Sequence, residues 1–243
     1  MSADERRAIN FHSAEDETGM AKNDTSAVIW DVDGTLVDTA ELHFNAWAKV
    51  ALKLSKPFTR ADFAATFGRR NPEILHQLFG NEFDEQRVAD LGDLKEDLYR
   101  DEARKGVDLL PGVLPLLNGL RAAGFLQAIG SSAPRRNVDL IINLTRTTSF
   151  FTAISSMEDT QRGKPDPQVF QIAAARLGAE PDRCVVMEDA VAGVQAAKAG
   201  GMKCIAVRFV GHHSEEKLAA AGADRVVRTL EDVSVELIRQ LLG

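Results

Sequence analysis

Cysteine is nearly missing from this chain: two in 243 residues, too few for a disulfide scaffold. A basic surplus is missing too. Acids outnumber bases 36 to 29, for a formal charge of −7 and a pI near 5.3. A nucleic-acid binder normally carries a basic footprint, so that class is disfavoured. No apolar run reaches the roughly 20 residues a membrane helix needs. The opening MSADERRAINFHSAEDETGM has none of the apolar stretch of a secretory signal. Internal repeats and low-complexity segments are absent as well. What is present is ordinary: 44% hydrophobic and 27% charged residues, enough for a large core in one or two domains. The expectation is a cytoplasmic protein with neither nucleic acid nor membrane as partner. Where the surplus carboxylates sit, and whether they work, is the question the composition raises.

Residues 1–24 are polar and charged and read as a disordered leader. Ala27-Val28-Ile29-Trp30 is a short apolar run ending at Asp31, the pattern of a buried parallel strand. Similar runs follow at Phe125–Gly130, Phe151–Ile154, Cys184–Met187 and Cys204–Val207, with a weaker one at Arg225–Val227. Helical stretches separate them at Val113–Ala123, Asp166–Leu177 and Ala190–Ala199. Gly124, Gly178 and Gly200-Gly201 stand where helices should end. Alternation of strand and helix predicts an α/β class, a Rossmann-like parallel sheet. Between about Ala40 and Leu110 the rhythm breaks. Glu41–Leu54, Arg60–Thr66, Pro72–Leu78 and Asp84–Lys105 read as helices with no strand between them. The expected organisation is therefore an α/β core over 25–40 and 111–243, with an inserted all-α cap domain over 41–110.

Two strand ends are rich in acid. Asp31-Val32-Asp33-Gly34-Thr35 follows the first strand, and open α/β sheets bind ligands beyond the carboxyl ends of their strands. Two carboxylates at i and i+2 can divide labour, one attacking or binding metal while the other moves protons. An EF-hand calcium loop would need Glu at its twelfth position, which here is Leu42. The second cluster, Glu188-Asp189, closes Val185-Val186-Met187. Adjacent acids at a buried strand end need a counter-charge, and oxygen ligands suit Mg²⁺. Asp189 would also serve as a helix N-cap. Ser131, after the strand at Leu126–Gly130, and Lys164, in Arg162-Gly163-Lys164-Pro165, supply the hydroxyl and ammonium that hold phosphoryl oxygens.

In this order the four pieces resemble the motifs of the haloacid dehalogenase superfamily of aspartate-nucleophile phosphotransferases. The strings Asp38-Thr39-Ala40-Glu41-Leu42-His43-Phe44-Asn45-Ala46-Trp47 and Glu188-Asp189-Ala190-Val191-Ala192-Gly193-Val194 are similar to the beta-phosphoglucomutase-like subfamily. The resemblance implies Asp31 as nucleophile and Asp33 as general acid and base. It implies Mg²⁺ held by Asp31, the Asp33 carbonyl and Asp189, with Glu188 helping. Ser131 and Lys164 would grip the phosphoryl group, with backbone N–H groups near Val32, Asp33 and Ser132 around it.

The second aspartate argues for phosphoryl transfer over dehalogenation, since a halide needs no proton. Residues facing substrate are expected at His43, Arg69, Arg70, Asn71, Lys95, Ser132, Arg135 and Asn137. His43 would couple cap closure to Asp33, or stand as a hinge histidine. Lys95 would reach the site or remain a solvated helix position. Arg69, Arg70, Arg135 and Arg136 would touch substrate or serve as surface charge. In Phe67-Gly68-Arg69-Arg70-Asn71-Pro72 the chain departs from the mutases, whose cap arginine falls three positions after the glycine; here that position is Asn71. The leading expectation is a Mg²⁺-dependent phosphatase of small phosphorylated metabolites, acting as a monomer. The alternatives are a beta-phosphoglucomutase and a silent binding protein.

Overall fold

The computed structural model describes residues 25–66 and 69–243; the expected leader, 1–24, lies outside the described residues. Six parallel strands form the sheet among them: β1 (Ala27–Trp30), β2 (Leu126–Gly130), β3 (Ala153–Ser155), β4 (Cys184–Glu188), β5 (Lys203–Val207) and β6 (Arg225–Val227). Their order is β3-β2-β1-β4-β5-β6. The chain runs outward from β1 to β3 on one side, then returns to β4 on the other. β1 is the point of reversal, and a crevice opens beyond its carboxyl end.

β1 faces two ways, as a strand with helices on both sides must. Val28 and Trp30 join a cluster with Leu117 and Leu120 of α5 (Val113–Ala122), Val138 and Ile141 of α6 (Arg135–Leu144) and Ile238 of α10 (Val235–Leu242). Ala27 and Ile29 join another with Phe170 of α7 (Gln168–Leu177), Val194 of α8 (Val191–Ala199) and Leu218 of α9 (Glu215–Ala220). Gln127, a buried polar residue on β2, is satisfied: it accepts from Trp30 Nε1 at 3.1 Å and donates to the Leu117 carbonyl at 3.0 Å.

The strandless stretch is helical, as expected. It comprises α1 (Ala40–Lys53), α2 (Arg60–Thr66), α3 (Asn71–Phe79) and α4 (Glu85–Ala103). Trp47 and Val50 of α1, Ile74, Leu75 and Phe79 of α3, and Val88 and Leu91 of α4 make a separate apolar cluster. Asp84 caps α4 by accepting from the Arg87 N–H at 2.7 Å. No helix among the described residues is long and apolar enough to cross a membrane.

Three helices escaped the sequence reading: α6, α9 and α10. α6 follows directly on Ser131–Pro134 and was hidden by its polar first turn, Arg135-Arg136-Asn137. β3 begins two residues later than expected, because Thr148–Phe150 forms a 3-10 turn that buries Phe150.

Gly112 stands before α5 at φ +87°, and a Cβ there would collide with the backbone of Leu230 and Glu231. Gly112→Ala is expected to lower the unfolding free energy by about 1–3 kcal/mol, because neither backbone can yield. Urea denaturation measures this. Gly106→Ala, at φ +142° but in open space, costs less because it carries backbone strain alone.

Candidate active site

The carboxyl ends of three neighbouring strands converge. Asp31 follows β1 and continues its ladder, its N–H donating to the Met187 carbonyl at 3.0 Å. Ser131 follows β2, and its Oγ accepts from the Ala133 N–H at 3.1 Å. Glu188 ends β4, with Asp189 next. From the loop before α7, Lys164 Nζ reaches between them, 2.6 Å from Asp31 Oδ1 and 2.7 Å from Glu188 Oε1.

Asp31, Glu188 and Asp189 are all buried, and each offers an oxygen within 4.8 Å of the others. Burial lifts the Asp31 carboxyl to about 7; Lys164 opposes the rise and Glu188 and Asp33 add to it. Burial, then Glu188 and Asp31, push Asp189 well above the usual carboxylate range. Burial works against the Lys164 charge, yet Asp31 and Glu188 hold it well above the usual lysine range. One ammonium thus leaves surplus negative charge among buried oxygens. An all-oxygen donor set of this kind fits a hard divalent cation.

The expected N-cap role of Asp189 is not observed. Ala190 occupies the cap position of α8 without a side-chain bond. Glu188 Oε2 accepts the Asp189 and Ala190 N–H groups instead, both at 2.7 Å. That leaves the Asp189 carboxylate against Gly34, where a Cβ would overlap it. Gly34, at φ +87°, is required for both the turn and this approach.

Asp33 sits differently. Its Oδ1 accepts from Thr39 Oγ1 at 2.5 Å and from Tyr99 Oη at 3.3 Å, and lies 3.3 Å from His43 Nε2. Burial alone would raise Asp33, but His43, Thr39 and Lys95 hold it at about 2. Lys95 Nζ lies 2.8 Å from His43 Nδ1. An ammonium has only protons to give, so Nδ1 accepts and Nε2–H points at Asp33. Around these groups lies a cavity of about 450 Å³, with Trp47, Phe63, Ile74 and Arg69 on its helical side.

A family model for haloacid dehalogenase-like hydrolases matches residues 28–207. The beta-phosphoglucomutase of Bacillus subtilis is 34% identical over 221 residues, which cover 88% of this chain and 94% of that protein. The chain belongs to the haloacid dehalogenase-like hydrolases. A phosphorylated carbohydrates phosphatase of Thermotoga maritima is 29% identical over 213 residues, 86% of this chain and 97% of that one. Among solved structures, a family IA, variant 3 hydrolase from Entamoeba histolytica superposes with a TM-score of 0.82 at 25% identity, covering 90% of this chain and 99% of that one.

In this hydrolase the residues of the four motifs, Asp31, Asp33, Ser131, Ser132, Lys164, Glu188 and Asp189, line one cavity. Its wall also includes His43, Arg69, Arg70, Asn71 and Lys95. Lys95 is not solvated: it is buried and tied to both His43 and Glu96. Arg135 and Asn137 do not line the cavity. Arg135 is exposed and pairs with Asp139 along its own helix. Asn137 is buried, with Glu96 Oε2 accepting from it at 2.6 Å and Arg100 donating to it at 2.7 Å. His213 is also a half-buried part of the cavity wall. Thr39 and Tyr99 were missed; the i, i+4 spacing of Lys95 and Tyr99 on α4 was the available signal.

A carboxyl raised above its unfolded value stabilises the fold below that value and loses this contribution as pH rises through the folded one. The metal-stripped protein is therefore expected to lose thermal stability as pH climbs from about 5 toward Asp31's value of about 7 and beyond. MgCl₂ should raise the melting temperature more at about pH 8 than at about pH 5.5, since fewer protons must leave. Differential scanning fluorimetry reads both; an equal metal shift at the two pH values would contradict the charge surplus.

Proposed function

We propose that this hydrolase is a Mg²⁺-dependent phosphatase of small phosphorylated metabolites, sugar phosphates foremost, working through an aspartyl-phosphate. The observation that carries the reading is the pairing of two unlike acids two residues apart. Asp31 lies in contact with Lys164 beside the acid cluster, while Asp33 is surrounded by donors from the helical block.

Asp31 Oδ would attack phosphorus as the bond to the leaving oxygen breaks, and Asp33, which must enter this half having taken up a proton, would give that proton to the oxygen. Asp33 would then take a proton from water as the water oxygen attacks phosphorus, releasing inorganic phosphate and restoring the Asp31 carboxylate. The donors from His43, Thr39 and Tyr99 suit the ionised Asp33 of this second half. Lys164 and Ser131 would hold the equatorial oxygens. Asp31, Asp189 and the Asp33 carbonyl would hold Mg²⁺, with Glu188 beside them. When bound, it would neutralise charge on the acids and the phosphoryl oxygens. Helices α1–α4 would act as a cap that excludes bulk water and chooses the substrate. Arg69, exposed at the rim, would meet the substrate's far end.

A second reading, beta-phosphoglucomutase, is favoured by the Lys95–His43–Asp33 chain and by the 34% identity to the Bacillus subtilis enzyme. Asn71 speaks against it: standing where those mutases place an arginine, it donates to Glu96 Oε1 at 2.8 Å.

With β-glucose 1-phosphate, a trace of the 1,6-bisphosphate and Mg²⁺, free phosphate is expected as the product. Glucose 6-phosphate at high turnover would overturn the phosphatase reading in favour of the mutase. Asp31→Asn should abolish turnover on every active ester. Asp33→Asn should lower kcat by about 10²–10⁴-fold while the metal-induced thermal shift persists.

A further inference from the structure

One side chain of the helical block crosses the cavity rim to the turn that carries Lys164. Arg70 stands immediately before α3 in extended backbone, φ −73° and ψ 149°. Its Nη2 lies 2.8 Å from Thr160 Oγ1 and 3.5 Å from the Thr160 carbonyl, and its Nη1 donates to the Gln161 carbonyl at 3.3 Å. Its Nε is buried and finds no acceptor; a Cβ on Gly163 would stand 3.0 Å from it. Nε and the stem carbons Cδ and Cγ of Arg70 thus pack over the glycine that precedes Lys164.

The same turn is held from below. Gln168, the first residue of α7, accepts the Gln161 and Arg162 N–H groups on its side-chain oxygen at 2.7 and 3.2 Å. The Asp166 N–H donates to the Gly163 carbonyl at 3.0 Å. The core thus supports the turn's N–H groups and the helical block takes its outward carbonyls. Arg is the residue suited to this, since its planar fork can reach two carbonyls and a hydroxyl at once. An ammonium on a flexible stem cannot reproduce that geometry.

We propose that Arg70 is a positioning residue: by clamping Thr160–Gly163 it sets Lys164 between Asp31 and Glu188, so that the lysine is in place only when the helical block is down. Arg70 then spends its charge on the protein, and Arg69 is the neighbour left facing the cavity mouth. The proposal rests on the phosphatase reading only for what Lys164 does once placed. It makes Gly163 part of the device, because a Cβ there, 3.0 Å from Nε, would push the Arg70 side chain outward by a few tenths of an ångström. Closure and assembly of the phosphoryl site would then be one event, a way to keep the aspartyl group unassembled while bulk water has access.

Hydrogen–deuterium exchange of the full chain tests this without relying on turnover. Arg70→Ala should speed exchange across residues 160–166 by about tenfold or more, with β4 and α8 unchanged. Arg70→Lys should match it rather than rescue it. Gly163→Ala should give a smaller rise in the parent protein but add nothing in the Arg70→Ala background, where the added Cβ has room. Additive effects of the two changes, or unaltered exchange at 160–166, would overturn the proposal. Thr160→Val removes one acceptor together with the hydroxyl's own bond to the Met157 carbonyl, and should give a smaller rise that does not add to that of Arg70→Ala; if Arg70→Ala fails to fold, no rise in Thr160→Val overturns it. On any ester the enzyme hydrolyses, Arg70→Ala should lower kcat by about tenfold with KM moving less, since a displaced lysine is missed most in the transition state. A parent protein silent on every ester would sink the phosphatase reading and leave the exchange result to decide on Arg70.

Discussion

The structure is organised around a charge problem. Three carboxylates, Asp31, Glu188 and Asp189, are buried at the ends of adjacent strands with one ammonium among them. Buried like charge is costly, so the surroundings must be shaped to hold it. Gly34 leaves room for the Asp189 carboxylate and Gly193 for that of Glu188; a Cβ at either would overlap an acid. Two N–H groups at the head of α8 are given to Glu188. The β1–β4 pairing brings the acids together at all, because Trp30 and Met187 are register partners and the next residue on each strand is acidic.

Above this cluster the helical block meets the core through apolar side chains, Ala46, Tyr99 and Ala103, and through a polar network. Glu96 is the hub. Lys95 donates to it at 2.9 Å, Asn71 at 2.8 Å and, from α6 of the core, Asn137 at 2.6 Å. Lys95 also reaches His43, and His43 reaches Asp33. Asp33 is thereby linked to a contact between α4 and α6.

Much of this was legible in the sequence. Strands were marked by short β-branched runs, and the chemistry by acids directly after two of them, because an open parallel sheet puts the ends of its strands on one edge. What stayed hidden depended on pairings across long separations. Lys95 looks like any helix lysine until α4 packs on α1 and brings it to His43, 52 residues away. Asn137 resembled a phosphate ligand until Glu96 and Arg100 claimed both ends of its amide. Arg70 could be read as surface charge because its partners, Thr160 and Gln161, lie about ninety residues downstream. α6 was obscured because polar first turns are common to helices and loops, and only its later Val138, Ile141 and Ile142 face the core.

The net charge of −7 takes on a different meaning once these residues are placed. An acidic chain is a poor match for an anionic substrate if charge is averaged over the surface, but a substrate in a cavity meets local fields. Six acids against three bases fall in residues 1–24, outside the described fold. Four more, Asp31, Asp33, Glu188 and Asp189, line the cavity itself. With Lys164 alone, four acids face one ammonium; a divalent cation, on the metal-dependent reading proposed above, would bring the set to within one charge of neutrality. On that reading, acid at the strand ends would tie the entry of an anion to prior binding of the cation.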